Sequence, residues 1–296
     1  MSRIVCINGE FVPESEARIS IFDRGFLMGD SVYEVTAVIH GQLLDFDAHA
    51  ARLLRSLGEL AMPSPLTSNE FKSMHLRLVE ENALDEGIVY LQVTRGVAER
   101  DFNIPEDAAP GWVAFTQAKN LLDPPQARNG IHVAIVPDMR WGRRDIKTTQ
   151  LLAACLAKAE ARRAGADDAW LMENGFITEG SSNNTFIISR DGALVTRQLS
   201  REILSGITRA SVLRFASEAG LRIEERHFSP AEAIVAAEAF ITSASTFVWP
   251  VVGIDGHMLG NGKPGPLTQR LRRIYLDEAF KSLGLARPKS SAVSKI

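Results

Sequence analysis

Apolar and polar positions alternate over residues 4–12 around Asn8-Gly9, a dipeptide that takes positive φ at low cost, and the alternation predicts a hairpin. His40-Gly41, Asn174-Gly175, Asp191-Gly192 and Asp255-Gly256 punctuate short apolar runs in the same way, so antiparallel sheet is expected in both halves of the chain. Residues 31–38 are rich in β-branched and aromatic side chains and read as a strand, with Tyr33 and Glu34 pointing to opposite faces. Helical spacing sets in over 48–60, with Asp47 as N-cap and Leu53, Leu54, Leu57 and Leu60 as the buried stripe; His49 and Arg52 lie on the neighbouring stripe. Further helices are expected over 68–82, 150–164, 208–219, 229–237 and 266–283, and further strands over 87–96 and 131–136. Strands and helices mix without a regular βαβ rhythm, which favours an α+β architecture over a doubly wound parallel sheet.

Asp123-Pro124-Pro125-Gln126 interrupts the periodicity, and two prolines favour an extended connector. The expected organisation is an N-terminal α/β domain over 1–118, a connector over 119–130, a larger domain over 131–285 and a fraying tail over 286–296. A chain of 296 residues suits two domains of ordinary size.

Charge narrows the functional classes. The net charge is −3 with both signs interspersed, so neither nucleic acid nor an anionic membrane is the expected partner, and a small molecule is. Cys6 and Cys155 stand far apart without a CxxC pair, so neither a disulfide framework nor a thiolate metal site is read, and a reducing compartment fits. The N-terminus turns polar too soon for the apolar core of a signal peptide, and the longest apolar tract, 233–254, is broken by Glu238 and Pro250. A cytoplasmic protein that spans no membrane is expected.

Among candidate motifs, Gly260-Asn261-Gly262-Lys263-Pro264-Gly265 has the GxGxxG spacing of a dinucleotide loop. It follows a hairpin, contains proline and has no later strand to complete a βαβ unit, so it is refused as a phosphate loop. GxxxxGK[ST], HExxH and GxSxG are absent from the sequence. Lys147, in Asp145-Ile146-Lys147-Thr148-Thr149, stands between a tryptophan-containing segment and a helix bearing Leu151, Leu152, Cys155 and Leu156, which places it near core. A lysine so placed can lose its proton by desolvation and attack a carbonyl. Glu179 lies in the polar run Thr178-Glu179-Gly180-Ser181-Ser182-Asn183-Asn184; by residue type alone it is a loop carboxylate or a cap. Gly206-Ile207-Thr208 opens a helix whose free N–H groups and dipole suit a phosphate, and Thr242-Ser243-Ala244-Ser245-Thr246 is a second hydroxyl-rich turn.

With these residues in view the chain resembles the fold-type IV pyridoxal-phosphate aminotransferases, and within them the D-amino-acid transaminases. The likeness rests on Asp23-Arg24-Gly25, Gly29-Asp30-Ser31-Val32-Tyr33-Glu34-Val35, His49-Ala50-Ala51-Arg52, Gln92-Val93-Thr94-Arg95-Gly96, Asp145-Ile146-Lys147, the Glu179 run and Gly206-Ile207-Thr208-Arg209. It implies a two-domain fold with a barrel-like, mostly antiparallel sheet in the larger domain, and a homodimer with its active site near the subunit interface. It also implies a two-step exchange between an amino donor and a 2-oxo acid. Lys147 would hold pyridoxal phosphate and shuttle a proton between Cα and C4′, and Glu179 would keep the ring nitrogen protonated. Arg52 as a bidentate clamp, Gly206, the N–H groups of Ile207 and Thr208, and the Ser245 turn would hold the phosphate. In such transaminases a tyrosine, an arginine and a histidine trap the substrate carboxylate, the last two on a loop from the partner subunit. Tyr33 and Arg100 match the first two; Phe102 stands where the histidine would be and cannot donate a hydrogen bond, while Ala244 and Ser245 complete the substrate side. That departure keeps an (R)-selective amine transaminase as the alternative. Branched-chain transaminases resemble one another in a tyrosine five residues beyond the lysine, where this chain has Leu152.

Overall fold

The computed structural model describes residues 2–287, and its two sheets divide along the chain. The first part runs β1 (Ile4–Ile7), β2 (Glu10–Pro13), α1 (Arg24–Met28), β3 (Ser31–Ile39), β4 (Gln42–Leu43), α2 (Phe46–Glu59), α3 (Ser68–Glu81), β5 (Glu86–Thr94) and β6 (Gly111–Ala118). The second runs α4 (Pro125–Asn129), β7 (Ile131–Pro137), α5 (Leu152–Arg163), β8 (Asp168–Glu173), β9 (Phe176–Gly180), β10 (Asn184–Ile188), β11 (Leu194–Thr196), α6 (Ile207–Glu218), β12 (Ile223–Glu225), α7 (Pro230–Ile234), β13 (Glu238–Ser243), β14 (Phe247–Ile254), β15 (His257–Met258) and α8 (Pro266–Ser282). The first sheet, β2-β1-β6-β5-β3-β4, is antiparallel throughout. The second, β12-β11-β10-β13-β14-β7-β8-β9 with β15 on β14, is mixed: β7 runs parallel to β8 and β14, β12 parallel to β11, and the other pairs are antiparallel. The edge strand β9 turns directly into β10, with the Gly180 N–H donating to Asn183 O at 2.8 Å, so the sheet curls back on itself in the barrel-like manner expected of this α+β fold.

Alternation along β3 positions the site. Its even positions, Val32 and Val38, pack with Leu53, Leu57, Phe71 and Leu78 of α2 and α3. The odd positions, Ala37 and Ile39, join a core that contains Phe186, Phe240, Leu271 and Tyr275 of the second part. Tyr33 belongs to the odd face, which places it at the junction of the two parts.

Five expectations are corrected. The cap of α2 is Asp45, in the left-handed region at φ 53 and without a side-chain cap bond, and Asp47 sits in the first turn; the helix starts early because burying Phe46 rewards the extra residues. Leu54 is 40% exposed rather than core. The proline pair does not extend the connector: Pro125 has its φ preset for a first helical turn and opens α4. On α5 the apolar stripe faces outward, with Leu152 73% and Leu156 57% exposed, while Ala154, Ala157 and Ala161 are buried. Close crossing of α5 over β7 and β8, against Ala134 and Ala169, admits only small side chains on the inner face. Helix α7 also stops short of the expected 237, at Ile234. Of the tail expected over 286–296, Arg287 pairs with Asp277 at 2.7 Å, and 288–296 lie outside the described residues. Among the described residues no helix is long and apolar enough to cross a membrane, and no group of acidic, histidine or cysteine side chains forms a metal site.

Candidate active site

A cleft enclosing about 200 Å³ lies at that junction, lined by Tyr33, the 140–151 loop, the β9–β10 turn, the start of α6 and the β13–β14 turn. Lys147 comes from the loop before α5, not from the helix itself. Its backbone is fixed against β3: the Tyr33 N–H donates to Lys147 O at 2.9 Å and the Thr149 N–H to Ser31 O at 3.2 Å. The ammonium is 4.1 Å from the centroid of the Tyr33 ring, which stacks on Tyr90, and forms no ion pair among the described residues. A pinned backbone and an unengaged Nζ suit a nucleophile that must swing between bound and free forms.

Glu179 is 3% exposed at the end of β9. Oε1 accepts from Arg140 Nη1 at 2.6 Å, Oε2 from Asn184 Nδ2 at 2.9 Å, and the Leu204 N–H is shared between the two oxygens at 3.2 and 3.1 Å. Burial pushes its carboxyl above the ordinary value, and the charge and hydrogen bond of Arg140 oppose that rise. A carboxylate so placed is a strong acceptor for an N–H⁺ presented from the cleft.

Arg52 lies across the cleft, and Glu34, on the even face of β3, holds it: Nε donates to Oε1 at 2.7 Å and Nη2 to Oε2 at 2.8 Å, while His49 Nδ1 lies 2.8 Å from Oε2. Burial would raise the Glu34 carboxyl, but the Arg52 charge outweighs it, with the Arg52 and His49 hydrogen bonds, and holds it far below the carboxylate range. Arg52 Nη1 also donates to Ser205 O at 2.9 Å. The forked edge expected to clamp a phosphate is therefore turned to Glu34, and one N–H on each terminal nitrogen is left for a ligand.

Ser205 leads into Gly206, the N-cap of α6, which carries no side-chain cap bond; the N–H groups of Ile207 and Thr208 have no acceptor among the described residues. Only glycine fits there, because a Cβ at Gly206 would meet Asn184 Oδ1 at 2.0 Å. Opposite, Ala244 and Ser245 line the cleft in a turn knitted by Ser243 Oγ and Thr246 Oγ1 at 2.9 Å, and the buried Thr242 Oγ1 has no partner among the described residues. Unsatisfied donors from a helix start, a hydroxyl turn and an arginine fit a phosphate. With a primary amine and a buried carboxylate in the same cleft, the residues fit a phosphorylated pyridine aldehyde.

Arg100 and Phe102 are not brought to Tyr33 within the chain. Phe102 is 86% exposed, Arg100 packs over its ring at 5.7 Å, and the loop is tied to α1 by Arg24 Nη1 donating to Asp101 O at 2.8 Å. The refused GxGxxG stretch precedes α8, whose Leu267 and Thr268 N–H groups donate to the Glu238 carboxylate at 3.0 and 2.7 Å. Sequence reasoning quoted Glu34 and Asn184 without assigning them work and missed Arg140. A charged residue in an otherwise buried strand was the available signal for Glu34; the partners of Asn184 and Arg140 come from segments far apart in sequence.

Residues 31–254 match the family described as amino-transferase class IV. A D-alanine aminotransferase of Bacillus licheniformis is 38% identical over 283 residues, covering 94% of this chain and 99% of that protein. One from Staphylococcus aureus (strain MSSA476) is 36% identical over 274 residues, covering 92% and 96%. Among solved structures, the T.th. branched-chain amino acid aminotransferase with pyridoxamine 5′-phosphate superposes with a TM-score of 0.85 at 28% identity, covering 94% of each chain.

Proposed function

The chain belongs to the class IV aminotransferases and is a pyridoxal-phosphate enzyme; from that premise we propose that it moves an amino group between a D-amino acid and a 2-oxo acid such as pyruvate or 2-oxoglutarate. The observation that carries the reading is the meeting of Lys147, Glu179 and the unpartnered start of α6 on one cleft. Near-full-length identity to D-alanine aminotransferases supports the substrate class.

When bound, the cofactor supplies an electron-withdrawing ring that makes the substrate Cα–H acidic. Arg52, the Ile207 and Thr208 N–H groups and the β13–β14 turn hold the phosphate. Glu179 accepts the ring N–H⁺. Lys147 Nζ would hold the cofactor and, when free, would take the proton from Cα and return one to C4′, and its fixed backbone would limit the transfer to one face. Tyr33, beside Nζ, contributes to seating the substrate carboxylate.

A homodimer is part of the proposal. Leu152, Leu156, Phe26 and Met139 are 57–80% exposed, and a partner subunit is the cover proposed for these large apolar side chains. Arg100 and Phe102 would then enter the partner's site. Phe102, apolar where a hydrogen-bond donor is expected, favours the second reading, an (R)-amine donor. A reducing cytoplasm suits the two free thiols. Single half-reactions test the substrate: bleaching of the cofactor's visible band is expected to be fast with D-alanine. Faster bleaching with an (R)-arylalkylamine selects the second reading, and bleaching by L-leucine alone overturns both.

A further inference from the structure

Behind Glu179 a chain of alternating charges runs to the surface. Arg140 Nη1 donates to Glu179 at 2.6 Å; its Nε and Nη2 grip Asp138 at 2.9 and 2.7 Å; Arg144 lies 3.5 Å from Asp138 and pairs with Glu173 at 2.7 Å. Thr178 Oγ1 completes the Asp138 carboxylate at 2.7 Å. Side-chain exposure is 4% at Glu179, 14% at Arg140 and 0% at Asp138, and rises to 35% only at Glu173. Nothing in the cofactor-binding scheme requires a second arginine here.

We propose that Arg140 is the positioning residue that keeps the Glu179 carboxylate ionised and aimed, so that the shared proton resides on the cofactor ring nitrogen rather than on Glu179. The inference rests on the reading of Glu179 as the ring-nitrogen partner. The physical case is a competition. A carboxylate this deeply buried gains proton affinity, and a ring nitrogen offering a proton in a water-poor cleft invites transfer to a neutral acid–base pair. A fixed cation on Oε1 stabilises only the ionised carboxylate and opposes that transfer.

Geometry singles out Arg140 for the task. Among the cations nearby, Arg52 is neutralised by Glu34, Lys147 makes no ion pair with Glu179, and Arg144 is directed to Glu173 and Asp138. Of these cations Arg140 alone touches Glu179, and it contacts Oε1, while Oε2 accepts from Asn184 and the two oxygens share the Leu204 N–H. Asp138 locks the guanidinium so that it cannot swing into the cleft to take the substrate carboxylate.

The test is the nitrogen-15 shift of ring-labelled cofactor in the holoenzyme, for wild type, Arg140→Gln, Arg140→Lys and Glu179→Gln. A protonated ring is expected in wild type and Arg140→Lys at neutral pH, and an unprotonated one in Arg140→Gln and Glu179→Gln. In Arg140→Lys the ring proton should also be lost as the introduced ammonium deprotonates near pH ~10, while wild type holds it because arginine stays charged. That titration serves even if Arg140→Gln does not fold. Glu179→Gln losing the proton while Arg140→Gln keeps it, or identical high-pH titrations of wild type and Arg140→Lys, overturns the Arg140 proposal alone. An unprotonated ring in wild type, or one unchanged in Glu179→Gln, overturns the Glu179 reading and the proposal with it.

Discussion

Helices α6 and α8 both begin at a glycine N-cap without a side-chain cap bond, yet their N-termini have opposite fates. At α8 the Glu238 carboxylate accepts from Leu267 and Thr268, and the anion that a helix start invites is built into the fold. At α6 the corresponding donors open into a cleft beside Arg52, and the Glu34 carboxylate is turned to that arginine instead. The same backbone chemistry serves stability in one place and ligand binding in the other, and the difference is made by where the buried carboxylate points.

The comparison can be broken first at Arg52. Arg52→Met leaves Glu34 buried without its cation, which should cost roughly 3–5 kcal/mol of stability in a denaturant titration, and should remove the cation at the α6 start. Because the folded-state Glu34 carboxyl is held below its ordinary value of 4.5, the stability it contributes is present above that pH and lost as pH falls beneath it. Wild-type stability from this pair should therefore begin to fall below pH 4.5. Next, Gly206→Ala drives a methyl into Asn184 and displaces a ligand of Glu179 together with the helix start. Pyridoxal phosphate affinity should fall about 10–100-fold by equilibrium titration, equivalent to about one charge-assisted hydrogen bond. The smallest effect sharpens the contrast: Glu238→Gln keeps an acceptor but loses the charge at α8, so melting should drop by the few degrees that about 1 kcal/mol represents, with cofactor affinity unchanged. Loss of cofactor affinity in Glu238→Gln would mean that the two N-termini do not play separate parts.

Much of this was legible from local pattern. Turn dipeptides and alternation located most of the strands, and the refusal of Gly260–Gly265 alongside interest in Gly206 followed from sequence context alone. Lys147, Glu179, Gly206, Ile207, Thr208, Ala244 and Ser245 line one cleft with Tyr33 and Arg52. What stayed hidden depends on pairing across long sequence distances: Arg140 meets Glu179, 39 residues on, because β7 and β9 flank β8, and Glu34 meets Arg52 because α2 packs on the even face of β3. The outward stripe of Leu152 and Leu156 was misplaced for a different reason. Apolar periodicity marks a face that avoids water, and it does not tell a core from a surface awaiting a partner. Arg100 and Phe102 gain a role at the site only under the proposed homodimer.

The central claim is that the amine beside the free helix start, and no other, holds the cofactor. Borohydride reduction of the holoenzyme followed by digestion and mass spectrometry tests it most directly, since Lys147 lies by the α6 cleft and Lys263 just before α8. The account predicts a phosphopyridoxyl group on the peptide containing Lys147 alone. A label on Lys263 or Lys158, or no label on Lys147, would contradict it.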